Sequence, residues 1–364
     1  MEIKKPTLFL NEERVRNNIK RMVQKARKNN IIFRPHFKTH QSIEIGNWFK
    51  EYDIKAITVS SVMMAQYFFS AGWNDITIAF PVNILEINEI NELASQINLN
   101  IIVVDHEPIP FLLKSVKHKL GLFLKIDTGT FRTGMNPENK DEIKKIIVSL
   151  KDSQYIKFKG FIVHTGHTYQ ARSLEEVKNI TIEANQKLLQ LKNEFGNDLI
   201  ISIGDTPACS MLDNFDEVDE IRPGNFVFYD ITQLTIGSCS EEDIAVALVA
   251  PIVAKHHNRN EIILYGGAVH LSKDFIINND GVKIFGYIAD VEKKGWGKII
   301  KNTYLKGMSQ EHGIIKINNS SDPLMNKKIG DLLAVLPAHS CLTADVMGAY
   351  KTLDGKTILM MDKK

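Results

Sequence analysis

The stretch Arg34-Pro35-His36-Phe37-Lys38-Thr39-His40 concentrates ionisable groups at the end of a short apolar run. On an extended chain, residues two apart share a face, so Arg34, His36, Lys38 and His40 project one way and Phe33, Pro35 and Phe37 the other. Cationic and imidazole neighbours favour the neutral form of a lysine, and an amine that sheds its proton readily is what Schiff-base chemistry requires. A solvated basic strand end has the same composition. Four glycine- and hydroxyl-bearing stretches come next: Asp127-Thr128-Gly129-Thr130-Phe131-Arg132-Thr133-Gly134, His164-Thr165-Gly166-His167-Thr168-Tyr169, Gly204-Asp205-Thr206-Pro207 and Arg222-Pro223-Gly224-Asn225. Where a strand turns towards a helix, such residues expose backbone N–H groups, and barrels hold phosphate on loops of this kind late in the strand order. A phosphorylated ligand is the expectation; glycine at such turns also serves the backbone alone. Near the end, Pro337-Ala338-His339-Ser340-Cys341 offers an imidazole and a thiol on one side of an extended segment, a pairing that favours zinc. Two ligands cannot close a structural site, so a metal there would keep positions open for water, substrate or another segment. A core histidine beside a buried cysteine gives the same pattern.

Short β-rich runs alternate with longer segments of helical period, which predicts parallel βα units. Strands are expected at 31–37, 56–60, 76–80, 101–105, 121–127, 159–164, 199–203 and 220–228, with helices at 11–28, 42–52, 62–71, 84–95, 108–118, 141–151, 174–195 and 208–212. Eight such units within residues 1–242 match a (βα)8 barrel, whose active site gathers at the C-terminal strand ends; a doubly wound sheet is the alternative. From residue 243 the rhythm changes to strand after strand, at 244–254, 261–265, 282–288, 313–317, 331–336 and 357–361. Residues 243–364 therefore read as a second, mostly antiparallel β domain carrying His339 and Cys341.

At roughly 100–200 residues per domain, the 364 residues suit two domains or a large barrel with an appendage. Lys+Arg 45 against Asp+Glu 43 gives a net charge of +2 without a basic block, which leaves nucleic acid and anionic membranes without an electrostatic footprint. The expected partner is a small molecule. Three cysteines cannot build a disulfide framework and fit a reducing compartment. No apolar leader opens the sequence and no run of 18 apolar residues follows, so a cytoplasmic protein is expected. G-x-G-x-x-G and G-x-x-x-x-G-K-[ST] are absent, which argues against Rossmann and P-loop nucleotide sites.

With these residues in view, the chain resembles the D-serine dehydratase and D-threonine aldolase family, pyridoxal-phosphate enzymes of fold type III with an alanine-racemase-like barrel. The resemblance covers nearly the whole chain. Its most specific marks are Arg34 to His40, similar to the family's cofactor-lysine segment, and His339-Ser340-Cys341 with Glu311-His312-Gly313, similar to its metal region. It implies that Lys38 is the catalytic Schiff-base lysine. It further implies that Thr206, Gly224 and Asn225 hold the cofactor phosphate, with Arg222 in the same phosphate-turn motif, that Tyr169, Arg132 and His167 line the cofactor site, and that His339 and Cys341 ligate the metal. One departure is Ile162, where some members carry a tyrosine. The H-x-C pair points to the dehydratase branch and zinc, whereas H-x-D with manganese or a similar divalent ion marks the better-known aldolases. The resemblance thus implies a homodimeric lyase of D-amino acid metabolism that converts a D-β-hydroxy amino acid into a 2-oxo acid and ammonia. The alternatives are aldol cleavage to glycine and an aldehyde, an amino-acid racemase, and a non-catalytic pyridoxal-phosphate carrier; the last lacks a strand-rich second domain.

Overall fold

The computed structural model describes residues 3–278, 280–319 and 321–362. Contacts divide the chain into two compact units, Lys20–Gly224 and Met1–Ile19 with Asn225–Lys364. Strand β1 (Thr7–Leu10) is followed by helix α1 (Glu12–Lys28), which places Glu12 and Glu13 in its first turn and Lys25, Arg27 and Lys28 in its last, matching the helix dipole.

The first unit is the expected barrel. Its eight parallel strands are β2 (Ile32–Phe33), β3 (Ala56–Val59), β4 (Asp75–Pro81), β5 (Asn98–Val103), β6 (Leu120–Lys125), β7 (Ile156–Val163), β8 (Ile200–Ile203) and β9 (Glu220–Ile221). They pair in the order β2-β9-β8-β7-β6-β5-β4-β3. The ring closes through a bridge between His36 and Thr58, supported by Thr58 N–H donating to Pro35 O and Phe37 N–H to Thr58 O, both at 2.9 Å. Between strands run α2 (Ile43–Lys50), α3 (Val62–Ser70), α4 (Ile87–Ala94), α5 (Ile109–Ser115), α6 (Lys140–Leu150), α7 (Leu174–Phe195) and α8 (Thr206–Met211). Ser61, Ser173 and Asp205 accept N–H bonds at the starts of α3, α7 and α8, satisfying donors that helix geometry leaves over.

Two kinds of side chain fill the barrel. Ile102, Phe123 and Ile162 form an apolar cluster with Ile200 against them, so Ile162 belongs to the plug. Beside it runs a buried polar chain: Arg34 Nη1 pairs with Asp75, Arg34 Nε donates to Glu220 at 2.6 Å, Ser202 Oγ donates to Glu220 at 2.6 Å, and Arg222 Nε donates to Ser202 Oγ at 2.6 Å. A buried guanidinium persists only when paired and hydrogen-bonded, and these partners meet that need.

The second unit holds α9 (Ile231–Ile236), α10 (Ala268–Leu271), α11 (Ser340–Met347) and the strands β10 (Val246–His256), β11 (Glu261–Tyr265), β12 (Ile276–Ile277), β13 (Lys283–Ile284), β14 (Gly286–Glu292), β15 (Gly295–Met308), β16 (His312–Lys316), β17 (Leu332–Pro337), β18 (Ala349–Thr352) and β19 (Thr357–Leu359). One sheet runs β11-β16-β15-β14-β17-β10-β1-β18-β19, and β11 also pairs with β10, so six of its strands close on themselves around Leu248, Ile262, Leu264, Ile288, Leu305, Ile315 and Val335. All its pairings are antiparallel save that of β1 with β18. Strand β15, long but broken by Gly295, Gly297 and a left-handed Asn302, had no counterpart in the sequence expectation.

Candidate active site

Lys38 lies exposed in a turn formed by residues 37–40, not on a strand. Extended backbone stops at His36, whose bridge to Thr58 is the last ladder contact, so the alternation expected to align Arg34, His36, Lys38 and His40 does not hold. Arg34 instead points into the barrel, where Glu220 and Asp75 outweigh burial and raise its pKa. His40 is carried by the turn into an aromatic pocket, its ring centroid 4.4 Å from that of Phe37 and 5.9 Å from that of Phe49, and burial lowers its pKa to about 3. Of the three expected neighbours only His36 stays with the lysine: its Nδ1 accepts from Lys38 N–H at 3.4 Å. Burial lowers the His36 pKa well below that of a free imidazole, and the positive charges of Lys38 and Arg222 act in the same direction.

The rest of the lysine's electrostatic surroundings comes from distant strands. Lys125 ends β6, and burial, Arg132, Arg222 and Lys38 lower its pKa to about 8 against the opposing pull of Asp127. His164 follows β7, bonds through Nδ1 to Gly204 O, and is held neutral by burial, with a pKa of about 3. Arg222 follows β9, buried, with Nη2 donating to Val163 O at 2.6 Å and burial lowering its pKa to about 10. Sequence reading passed over Lys125, although a cation closing an otherwise apolar strand is a usable signal of a residue at a barrel mouth.

Glycine- and hydroxyl-rich turns frame this group. A Cβ on Gly224 would lie 3.0 Å from His36 O and 3.2 Å from Thr39 Oγ1, so glycine lets the loop come this close to the lysine turn without crowding it. Asp205, fully buried, accepts from the hydroxyls of Thr165 and Thr168 and from Ala208 N–H at 2.7 Å; burial raises its pKa against those bonds. It fixes the start of α8, where Thr206 is buried. Thr130 Oγ1 donates to His164 O at 3.0 Å and lies 3.3 Å from His167 Nδ1, tying the loop of Arg132 to that of His167 and Tyr169; the Tyr169 ring is 6.3 Å from that of His164. Arg132 itself is exposed.

Three other residues singled out in the sequence, Asn225, His339 and Cys341, meet in the second unit. Here too the extended geometry expected for His339 and Cys341 is not what forms. His339 is the extended residue that caps α11, and Cys341 sits in the first helical turn, so a strand-to-helix corner brings them together. Asp230 Oδ2 lies 3.5 Å from His339 Nδ1, and Asn225 Nδ2 donates to Cys341 Sγ at 3.4 Å. Burial alone would lower the His339 pKa, but Cys341 and Asp230 outweigh it and hold the imidazole well above its usual value. Glu311 faces His270 at 3.8 Å and His312 faces Ser309 at 3.2 Å, and among the described residues no three His, Cys, Asp or Glu side chains cluster as a metal cage.

Residues 10–231 match the alanine racemase N-terminal domain family and residues 245–353 the putative serine dehydratase domain family. A D-serine dehydratase from Dictyostelium discoideum is 30% identical, across 96% of this chain and 93% of its own length. The chain belongs to the D-serine dehydratase family. As in that family, it is a pyridoxal-phosphate-dependent lyase of D-amino acids. Among solved structures, a cysteine-to-alanine variant of D-threo-3-hydroxyaspartate dehydratase in its metal-free form superposes with a TM-score of 0.91 at 24% identity, covering 100% of this chain and 98% of that one. A histidine variant of the same enzyme gives 0.90 at 23% identity, over 100% and 96% of the two chains. D-threonine aldolase from Filomicrobium marinum gives 0.81 at 17%, over 98% and 95%, sharing the fold.

The residues of the first unit fit the family's cofactor. An exposed lysine on a tight turn, a close-packed glycine loop at Gly224, a buried hydroxyl at Thr206 and the cations Arg222 and Lys125 together suit an anionic phosphorylated aldehyde.

Proposed function

We propose that this enzyme eliminates water from a D-β-hydroxy amino acid, D-serine first among them, to give a 2-oxo acid and ammonia, using zinc held by His339 and Cys341. The observation that carries the reading is the imidazole–thiol pair converging at the start of α11 in a chain of this family. The relatives' names support it: one dehydrates D-serine, and another, a D-threo-3-hydroxyaspartate dehydratase, has been solved as variants in a histidine and in a cysteine two positions further on, the latter metal-free. A nitrogen–sulfur donor pair suits zinc better than manganese, which prefers oxygen ligands.

Lys38 would carry the cofactor, and its Nζ would take the proton from the substrate Cα. Thr206, Gly224 and Asn225 would hold the phosphate, with Arg222 in the same turn, and Arg132, His167 and Tyr169 would line the cofactor. His36 and His164, both held neutral by burial, add no positive charge to repel the protonated lysine. Bound pyridoxal phosphate supplies an electron sink for the Cα carbanion. Zinc, when bound, supplies a Lewis acid for the β-hydroxyl, and the open positions left by two protein ligands suit that role.

Further expectations belong to the same reading. The enzyme is a homodimer in this reading; Met63, Phe80, Leu85 and Phe131, 44%, 60%, 86% and 91% exposed, are apolar side chains at or just after the ends of β3, β4 and β6 that a second copy would shield from water. A cytoplasmic location belongs to the same reading; no described helix is long and apolar enough to cross a membrane. Incubating the purified protein with a panel of D-β-hydroxy amino acids, with and without chelator, tests the proposal. A 2-oxo acid whose formation stops on chelation supports it; glycine plus aldehyde would move the enzyme to the aldolase branch, and full activity in chelator would remove the metal.

A further inference from the structure

Asp230 is fully buried, and a buried carboxylate is costly unless donors surround it. Its Oδ1 accepts from Gln233 N–H at 3.0 Å, which caps α9. Capping needs only that oxygen. The other, Oδ2, accepts from Asn225 Nδ2 at 2.7 Å, from Ser340 N–H at 2.9 Å and from Ser340 Oγ at 3.2 Å, and lies 3.5 Å from His339 Nδ1. Asn225 Nδ2 in turn reaches Ser340 Oγ at 3.0 Å and Cys341 Sγ at 3.4 Å. Thr232 in α9 donates to Ala338 O at 2.7 Å, and Thr343 donates to His339 O at 3.0 Å, so the backbone of the corner is clamped on both sides.

This arrangement acts on each side chain of the pair in a different way. A carboxylate at Nδ1 selects the tautomer with its proton on that nitrogen and leaves the Nε2 lone pair for a metal. The Asn225 amide within 3.4 Å of the sulfur, itself held by Asp230 and Ser340, fixes where Cys341 Sγ points. We propose that Asp230 and Asn225 are positioning residues for the His339–Cys341 metal pair: Asp230 orients the imidazole and Asn225 fixes the direction of the sulfur. The proposal rests on the reading of that pair as a metal site and adds what makes two ligands sufficient.

Cobalt(II) is the probe, because a thiolate bound to it gives a near-ultraviolet charge-transfer band that reports the sulfur without any turnover. Titrating the cofactor-loaded protein should produce the band, and Cys341→Ser should abolish it; a missing band, or one that survives this change, would sink the metal reading itself. Asp230→Asn retains an oxygen able to cap α9 but removes the charge. It should leave the band intact at saturation while weakening cobalt binding tenfold or more, within the range found when such supporting groups are lost. Equal affinity in Asp230→Asn and the unsubstituted protein overturns the role of Asp230 and leaves the metal site standing. If Asp230→Asn does not fold, Asn225→Ala decides: it removes the donor on sulfur, so the band should shift in wavelength and the affinity fall, and no change in either refutes the proposal.

Discussion

The proposed chemistry rests on Lys38, whose side chain is exposed, which makes its loss separable from unfolding. Lys38→Ala is expected to lower turnover by roughly 10^3-fold or more, since it removes both the covalent anchor and the base, while the thermal midpoint stays close to the unsubstituted value. Borohydride reduction followed by peptide mapping should find the cofactor on this lysine, and a label elsewhere would sink the assignment. The segment around Lys38 stands out in the sequence; the surroundings that the fold gives it do not. A period-two rule placed Arg34 and His40 beside it, yet the strand ends at His36, after which Phe37 and His40 take the buried side of a turn. Lys125, Arg222 and His164 come from three other strands, and only ring closure brings their charges to bear on it.

Helices and strands of the barrel could be read from pattern alone because each repeats a strong local signal: an apolar run, a turn, then a helical period opened by a cap such as Ser173. What escaped were elements whose cause lies elsewhere in the molecule. Strand β15 has its alternation interrupted by glycines, and the corner at His339 turns helical because Asp230 and Thr232 hold its backbone. Gly160 in β7 shows how one position can decide register. It has φ +138°, where the pairing of β6 with β7 shifts, and a Cβ there would come 2.2 Å from Ile200 O and 2.5 Å from Ile200 N. Backbone of the next strand cannot move aside without breaking the ladder, and the dihedral itself is strained for any other residue. Gly160→Ala should therefore cost about 3 kcal/mol or more, seen as a lowered urea midpoint with the slope unchanged; a midpoint within error of the unsubstituted protein would contradict the close approach.

Stability of the whole molecule should fall in acid for a reason written into its histidines. His40 and His164 are buried neutral with folded-state values of about 3, against an ordinary value of 6.5. Below pH 6.5 the unfolded chain takes up protons that the native state refuses, so the native state is favoured fully above that pH and progressively less as pH falls towards 3. Each histidine contributes a slope of at most about 1.4 kcal/mol per pH unit in that window. Urea unfolding of the cofactor-free protein between neutral pH and pH 5 should show the decline, and His40→Gln should flatten it; equal slopes in the two proteins would refute the contribution of His40.

One pairing bears on how the chain is made. Strand β1 lies between β10 and β18, in register from Thr7 opposite Val249 to Leu10 opposite Thr352. Made before every strand of the barrel, Thr7–Leu10 find their partners only after all of those strands have been synthesised. A nascent chain halted after Gly224 would hold all eight barrel strands and none of the partners of β1. During that interval an unpaired, largely buried-in-the-end strand, Thr7-Leu8-Phe9-Leu10, stands open to wrong pairings, the hazard of any exposed strand edge. Translation speed through residues 225–352 thus sets how long the nascent protein carries β1 unpaired, and slowing it there should raise aggregation without altering the stability of the finished enzyme.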